Sequence, residues 1–159
     1  MRILPQFTEM LILPYSEKEV RRRLYGVVYP LSHHQPMAAG KEDSDFIFNG
    51  QVKKERFSIS RRVRHSNSFL PLVNGKVEET RSGSIVYLSF SLFPSTKAFL
   101  WFWLAVSVLL TIVFLLRKDF LYSSLGLASG IFCYIVASVS FRRALRDTRN
   151  VLLPVLTEP

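Results

Sequence analysis

Two long apolar runs separated by three residues constrain this chain more than any other feature. Residues 98–116 (AFLWFWLAVSVLLTIVFLL) and 120–141 (FLYSSLGLASGIFCYIVASVSF) contain no Asp, Glu, Lys or Arg, and only Arg117-Lys118-Asp119 divides them. At 1.5 Å rise per residue a 19-residue helix reaches about 28 Å, close to the ~30 Å hydrocarbon core of a bilayer. One such run could be the core helix of a soluble domain. Two of them, joined by so short a turn, predict an antiparallel transmembrane hairpin over residues 94–142, with both flanking segments on one side.

Basic residues give the side. Arg142, Arg143, Arg146 and Arg149 follow the second run, whereas the turn carries two cations and one anion. Cytoplasmic flanks carry the Lys/Arg excess, so both termini are expected in the cytoplasm and residues 143–159 form a basic cytoplasmic tail. The first residues, Met1-Arg2-Ile3-Leu4-Pro5, hold no apolar signal core, which agrees with that expectation. Trp101 and Trp103 would lie at the cytoplasmic headgroup level and Tyr122 at the far interface. Gly126 and Gly130 form a GxxxG pattern, with Ser123, Ala137 and Ser138 also small. Small residues allow close helix approach in lipid. The pattern therefore marks either packing on the first span or self-association into a homodimer.

Residues 1–93 read as a cytoplasmic α+β domain. Residues 8–13 form a strand that Pro14 stops. Ser16-Glu17-Lys18-Glu19 has the form of a capping box and starts a helix to about Tyr25, with Gly26 as C-cap. Val20 and Leu24, with Val27 or Val28, share one face, while Glu17 to Arg21 and Glu19 to Arg23 are i,i+4 ion pairs. The Arg21-Arg22-Arg23 run is expected on a solvated helix face. Residues 30–45 lack periodicity and read as a flexible loop. Its His33-His34 pair has no third ligand at a metal-site spacing.

From Phe46 the apolar period becomes two. Phe46, Phe48 and Val52 alternate, then Phe57, Ile59 and Val63, then Val73 and Val77, then Val86, Leu88, Phe90 and Leu92. Turns at Lys53–Arg56 and Ser82-Gly83 keep these sets on one face, giving a four-stranded antiparallel meander. Turns at Asn49-Gly50 or Asn74-Gly75 would break the alternation, so both glycines are expected inside strands as bulges or close-approach positions. The segments Asn49–Arg56 and Asn74–Arg81 resemble one another, and Lys53-Lys54 in the first becomes Glu78-Glu79 in the second. Adjacent hairpins would bring these opposite charges together.

No nucleophile elbow, phosphate-cradling glycine loop, zinc motif or paired apolar carboxylates occur, so no catalytic residue, metal or cofactor is expected and the chain does not read as an enzyme. The lone Cys133 excludes an intrachain disulfide. Neither span carries an ionisable residue, which argues against a stand-alone transporter. The formal net charge of +9 suits an anionic partner, and the spans favour lipid over nucleic acid. Lys53, Lys54, Arg56, Arg61, Arg62, Arg64 and His65 form the main basic group of the domain. Arg56, Ser58, Ser60, Arg62 and Arg64 are expected on one strand face, which is either solvated or faces anionic headgroups or an acidic partner. Only Pro94-Ser95-Thr96 joins the last strand to the first span, which keeps the sheet near the bilayer.

The pattern Phe48-x-Gly50-x-Val52, Phe57-x-Ile59-x-Arg61, Asn67-Ser-Phe-Leu-Pro71, Gly75-x-Val77 and Gly83-Ser84-x-Val86-x-Leu88, ahead of a two-helix anchor, resembles a family of small uncharacterised bacterial membrane proteins. The resemblance covers roughly residues 8–140. It implies a bacterial inner (plasma) membrane setting and brings no activity with it. The expectation is a membrane-anchored binding or scaffold module, or an accessory subunit of a larger membrane complex.

Overall fold

The computed structural model describes residues 4–30, 46–63 and 68–157. The fold is α+β: six strands form one mixed sheet, and three helices accompany it. The elements are β1 (Gln6–Leu13), α1 (Glu17–Val27), β2 (Val28–Pro30), β3 (Phe48–Val52), β4 (Arg56–Arg61), β5 (Pro71–Thr80), β6 (Gly83–Leu92), α2 (Pro94–Leu116) and α3 (Phe120–Thr157). The sheet order is β1-β6-β5-β4-β3-β2. Strands β3 to β6 follow one another as antiparallel neighbours. They are not a separate four-stranded meander, because β1 adds antiparallel to β6 and β2 adds parallel to β3.

Alternation decides which residues enter the core. Phe48, Val52, Phe57, Ile59, Val73, Val77, Val86, Leu88, Phe90 and Leu92 point to one face and are buried. Helix α1 covers part of that face with Val20 and Leu24, both fully buried. Strand β4 ends at Arg61, so Val63 lies beyond it and is exposed rather than in the core. Gly50 and Gly75 stay in register, opposite Ile59 and Phe57, so neither is a bulge. Both are close-approach positions. A Cβ on Gly50 would stand 2.2 Å from the Ser58 carbonyl oxygen, and the Phe57 ring occupies the space over Gly75.

Several local expectations change. Ser16 has N-cap geometry but makes no side-chain cap hydrogen bond. The Glu19 carboxylate that would close the box instead accepts from Arg23 Nε and Arg22. The helix runs through Gly26 to Val27. The Glu17–Arg21 and Glu19–Arg23 pairs form. Only Arg22 of the arginine run is well solvated: Arg23 lies 4.0 Å over the Tyr15 ring. Lys53-Lys54 makes no ion pair with Glu78-Glu79; Glu78 pairs with Lys76 on its own strand. The last hairpin turns at Arg81-Ser82, and Gly83, at φ +150°, begins β6 against the Leu13 carbonyl. The loop at 31–45 with His33-His34, and Arg64 and His65, lie outside the described residues.

The largest departure concerns the end of the chain. Residues 143–157 are not a separate tail: α3 is one helix of 38 residues. Its buried positions are Ser123, Gly130, Ala137, Phe141, Ala144, Thr148, Leu152 and Leu156. Steps of seven, four and three residues keep them on one stripe. The first part of the stripe contacts α2. The last part, including Phe141, Leu152 and Leu156, joins Val20, Leu24 and the sheet side chains in a single core. One rigid element thus belongs both to the helical hairpin and to the centre of the sheet domain.

Candidate functional site

Helices α2 and α3 are long and apolar enough to cross a membrane. Of their most apolar windows, only 11% and 22% is buried. Three residues join them, with Lys118 in the left-handed region at φ 60°. Gly126 and Gly130 face α2: a Cβ on either would approach Thr111 or Ser107 within about 3.0 Å. Ser123 Oγ donates to the Thr111 carbonyl at 3.1 Å. The GxxxG face is therefore filled within the chain. An apolar groove of about 470 Å³ remains on the flank, lined by Leu104, Val108, Ile112, Leu127, Ile131 and Tyr134 among others.

Contacts of 111 with 123 and 126, and of 107 and 104 with 130, set the antiparallel register. Extended by one residue on each helix per step, it brings Arg142 and Arg143 level with Ser91–Ser95, where β6 gives way to α2. Phe99, Trp101, Phe102 and Trp103 are exposed just inside that level, with Phe99 stacked on Trp103. At the opposite end Tyr122 packs on Phe114 at 5.3 Å.

The basic residues of the sheet do not form one group. Strand β4 spans five residue steps at about 3.3 Å each, so its ends lie about 17 Å apart. Lys53, Lys54 and Arg56 are at the end remote from the hairpin, and Arg61 is at the hairpin end, where β5 and β6 lead into α2. Parity separates them further. Arg56, Ser58 and Ser60 are on the outer face, whereas Arg61 shares the inner parity of Phe57 and Ile59 and pairs in register with Phe48. Arg62 leaves the strand and lies over the Tyr29 ring at 5.5 Å. At the hairpin end Arg61, Val63 and Leu70 meet Ser140, Arg143, Ala144 and Asp147 around a cleft of about 230 Å³. In the sequence Arg61 and Arg143 belong to different basic clusters, and no motif marks Asp147. A heptad count from Ser140 to Asp147 would have put the acid on the same helix face as Arg143.

On the outer face a second hollow of about 370 Å³ is lined by Asn49, Gln51, Ser58, Ser60, Leu72 and Phe93 with Gly50. It holds amides and hydroxyls but no titratable group. Among the described residues no three His, Cys, Asp or Glu side chains come together in a way that could hold a metal ion.

Of the four arginines after the second apolar run, Arg149 is not available to a partner. Its guanidinium donates to Glu9 through Nε at 2.8 Å and through a terminal nitrogen at 2.6 Å. This fork ties α3 to β1. The hydrogen bonds from Arg149 hold the Glu9 carboxyl below its usual value, against the opposing effect of burial. A depressed carboxyl stabilises the fold above its ordinary pKa of 4.5 and loses that contribution as pH falls through the lowered value. The guanidinium is 42% exposed, so solvent screening reduces the pair to about 1 kcal/mol. Glu9→Gln should therefore lower stability by that amount at neutral pH, and the gap between the two proteins should close as pH falls below 4.5 and through the lowered value. Thermal melts of both across this range check it; a gap that does not change with pH would contradict it.

No family model matches the chain, and no curated protein matches it. Two solved structures are similar in outline. One is a crystal structure of a protein from Mesorhizobium loti, 13% identical, with a TM-score of 0.35 over 58% of this chain and 80% of that one. The other is a solution structure of a Polyketide_cyc-like protein from Corynebacterium glutamicum, 12% identical, with a TM-score of 0.35 over 92% of this chain and 94% of that one.

Proposed function

We propose that this chain is a membrane-anchored binding module of a bacterial plasma membrane. In this reading α2 and α3 cross the bilayer as an antiparallel pair, both termini are cytoplasmic, and the sheet domain rests on the inner surface without enzymatic activity. The observation that carries the reading is the exposed apolar hairpin continuous with the domain core. A core helix of a soluble protein would bury its apolar window, and these windows are largely bare. Lipid is the solvent that makes such exposure favourable. The resemblance to small bacterial membrane proteins agrees with this setting.

In this reading the basic residues nearest the bilayer are those at the hairpin end. Lys97, Arg142, Arg143 and Arg61 lie at the hairpin end, where a basic side chain gains about 1 kcal/mol from an anionic surface. Lys53, Lys54 and Arg56 lie beyond the ~8 Å Debye length of physiological salt and are left for solvent or a protein partner. A second reading, an accessory subunit of a larger membrane complex, is favoured by the apolar groove beside Gly130, which another transmembrane helix could fill.

Alkaline carbonate extraction, with cysteine accessibility in a Cys133→Ser background, tests the proposal. The chain should stay in the membrane pellet. Lys118→Cys should react with an impermeant thiol reagent from outside the cell, and Lys54→Cys should react only after lysis. Release of the chain by carbonate, or labelling of Lys54→Cys from outside, would contradict it.

A further inference from the structure

We propose that the cleft where α3 passes from the hairpin onto the sheet is a headgroup site for an aminophospholipid. Three charged groups line it: Arg61 from the end of β4, and Arg143 and Asp147 from α3. Ser140, Arg143 and Asp147 share a helix face at steps of three and four. Among the described residues none of the three charged groups is in an ion pair, although other arginines of the chain are. Arg143 and Asp147 are exposed, and Val63 and Leu70 add an apolar wall.

The charge pattern selects the ligand class. Two guanidinium groups suit a phosphodiester, which accepts forked N–H donors. A site for a purely anionic group would be weakened by a carboxylate in its wall. A headgroup that also carries a primary ammonium turns Asp147 into a partner, because the ammonium donates hydrogen bonds to it. Phosphoethanolamine has both charges at the ends of a two-carbon link. A choline headgroup carries the same phosphate but no N–H to donate, and a glycerol headgroup has no cation. At about 230 Å³ the cleft is smaller than the ~300 Å³ at which drug-sized sites begin, which suits a headgroup. Its level with the start of α2 puts it at headgroup depth, so this inference rests on the membrane reading above.

The test uses the full chain in nanodiscs holding equal amounts of phosphatidylethanolamine, phosphatidylglycerol and phosphatidylcholine with the same acyl chains. Lipids retained by the protein are read by native mass spectrometry. Phosphatidylethanolamine should be enriched about three- to fivefold over both others. Asp147→Asn, an exposed and nearly isosteric change, should abolish its advantage over phosphatidylglycerol. The pair Arg61→Gln and Arg143→Gln should abolish enrichment of any phospholipid. Equal retention of the three lipids, or a preference that survives Asp147→Asn, would overturn the proposal. Free O-phosphoethanolamine is the soluble arm: if it displaces the retained lipid at equimolar concentration, the site belongs to a soluble phosphate compound and the lipid assignment fails. Carbonate extraction of the same preparation separates the two levels. A chain that is washed out refutes the membrane anchor, whereas an anchored chain without preference refutes only the headgroup site.

Discussion

Replacing Leu152 with Asp should unfold the sheet domain while leaving the apolar hairpin able to insert. Leu152 is fully buried, and it belongs to the same core as Val20, Leu24 and the inner faces of the strands. Truncation to Ala should already cost about 2–5 kcal/mol through lost burial and the cavity left behind. Asp adds an ionised group with no partner. Together these reach the range of about 5–15 kcal/mol that a domain holds in total, enough to unfold one of ordinary stability. Limited proteolysis in membranes is the suitable readout. Cleavage should spread through residues 4–93 in Leu152→Asp, with the segment from α2 into the first half of α3 still protected. A domain as resistant as the native one would mean that residues 142–157 are dispensable to the core.

The second large effect is expected at the two strand glycines, which should respond differently to rescue. An alanine Cβ at Gly50 would meet backbone, the Ser58 carbonyl oxygen at 2.2 Å and the Ile59 Cα at 2.7 Å. Backbone in the middle of a paired strand has nowhere to move. Gly50→Ala should therefore reach or exceed the upper end of the ~1–3 kcal/mol typical of overpacking. At Gly75 the obstacle is the Phe57 ring, which Phe57→Leu would shorten. Phe57→Leu should recover part of the stability lost in Gly75→Ala and none of that lost in Gly50→Ala. Denaturant melts of the singles and doubles measure this, and equal coupling for both glycines would contradict the two different causes.

The sequence made much of this architecture legible through local signals. Charge-free runs with a three-residue joint give the helical pair, and the period-two apolar sets give β3 to β6 with nearly correct ends. The alternation also required Gly50 and Gly75 to stay inside strands, and their crowded surroundings show why only glycine fits. Long-range pairing was not legible. Strand β2 has three residues, too few to alternate, and pairs with β3 across the long 31–45 segment. Nothing local joins β1 to β6, because its partner is set by the whole sheet.

The tail shows a different limit. Phe141, Ala144, Thr148, Leu152 and Leu156 recur at helical spacing, so the signal was present. Arg142, Arg143, Arg146 and Arg149 interrupt it and draw attention to charge, and Pro154 argues against a helix that nonetheless continues through it. The candidate site was legible only in pieces for a related reason. Arg61 and Arg143 are both visible as basic residues, yet their meeting depends on β4 ending beside α3. The basic residues between 53 and 62 divide because the length of β4 separates its two ends and strand parity separates its two faces.

Helix α3 continues without a break from the hairpin into the sheet core, and in the proposed membrane setting this holds the domain at the bilayer rather than tethering it. Amide hydrogen exchange of the full chain in nanodiscs tests this directly at residues 138–152. A continuous, core-packed helix predicts protection that runs unbroken through Phe141, Ala144 and Thr148 and falls only near Thr157. Rapid exchange across residues 142–147, with slow exchange on either side, would show a hinge there and contradict the account.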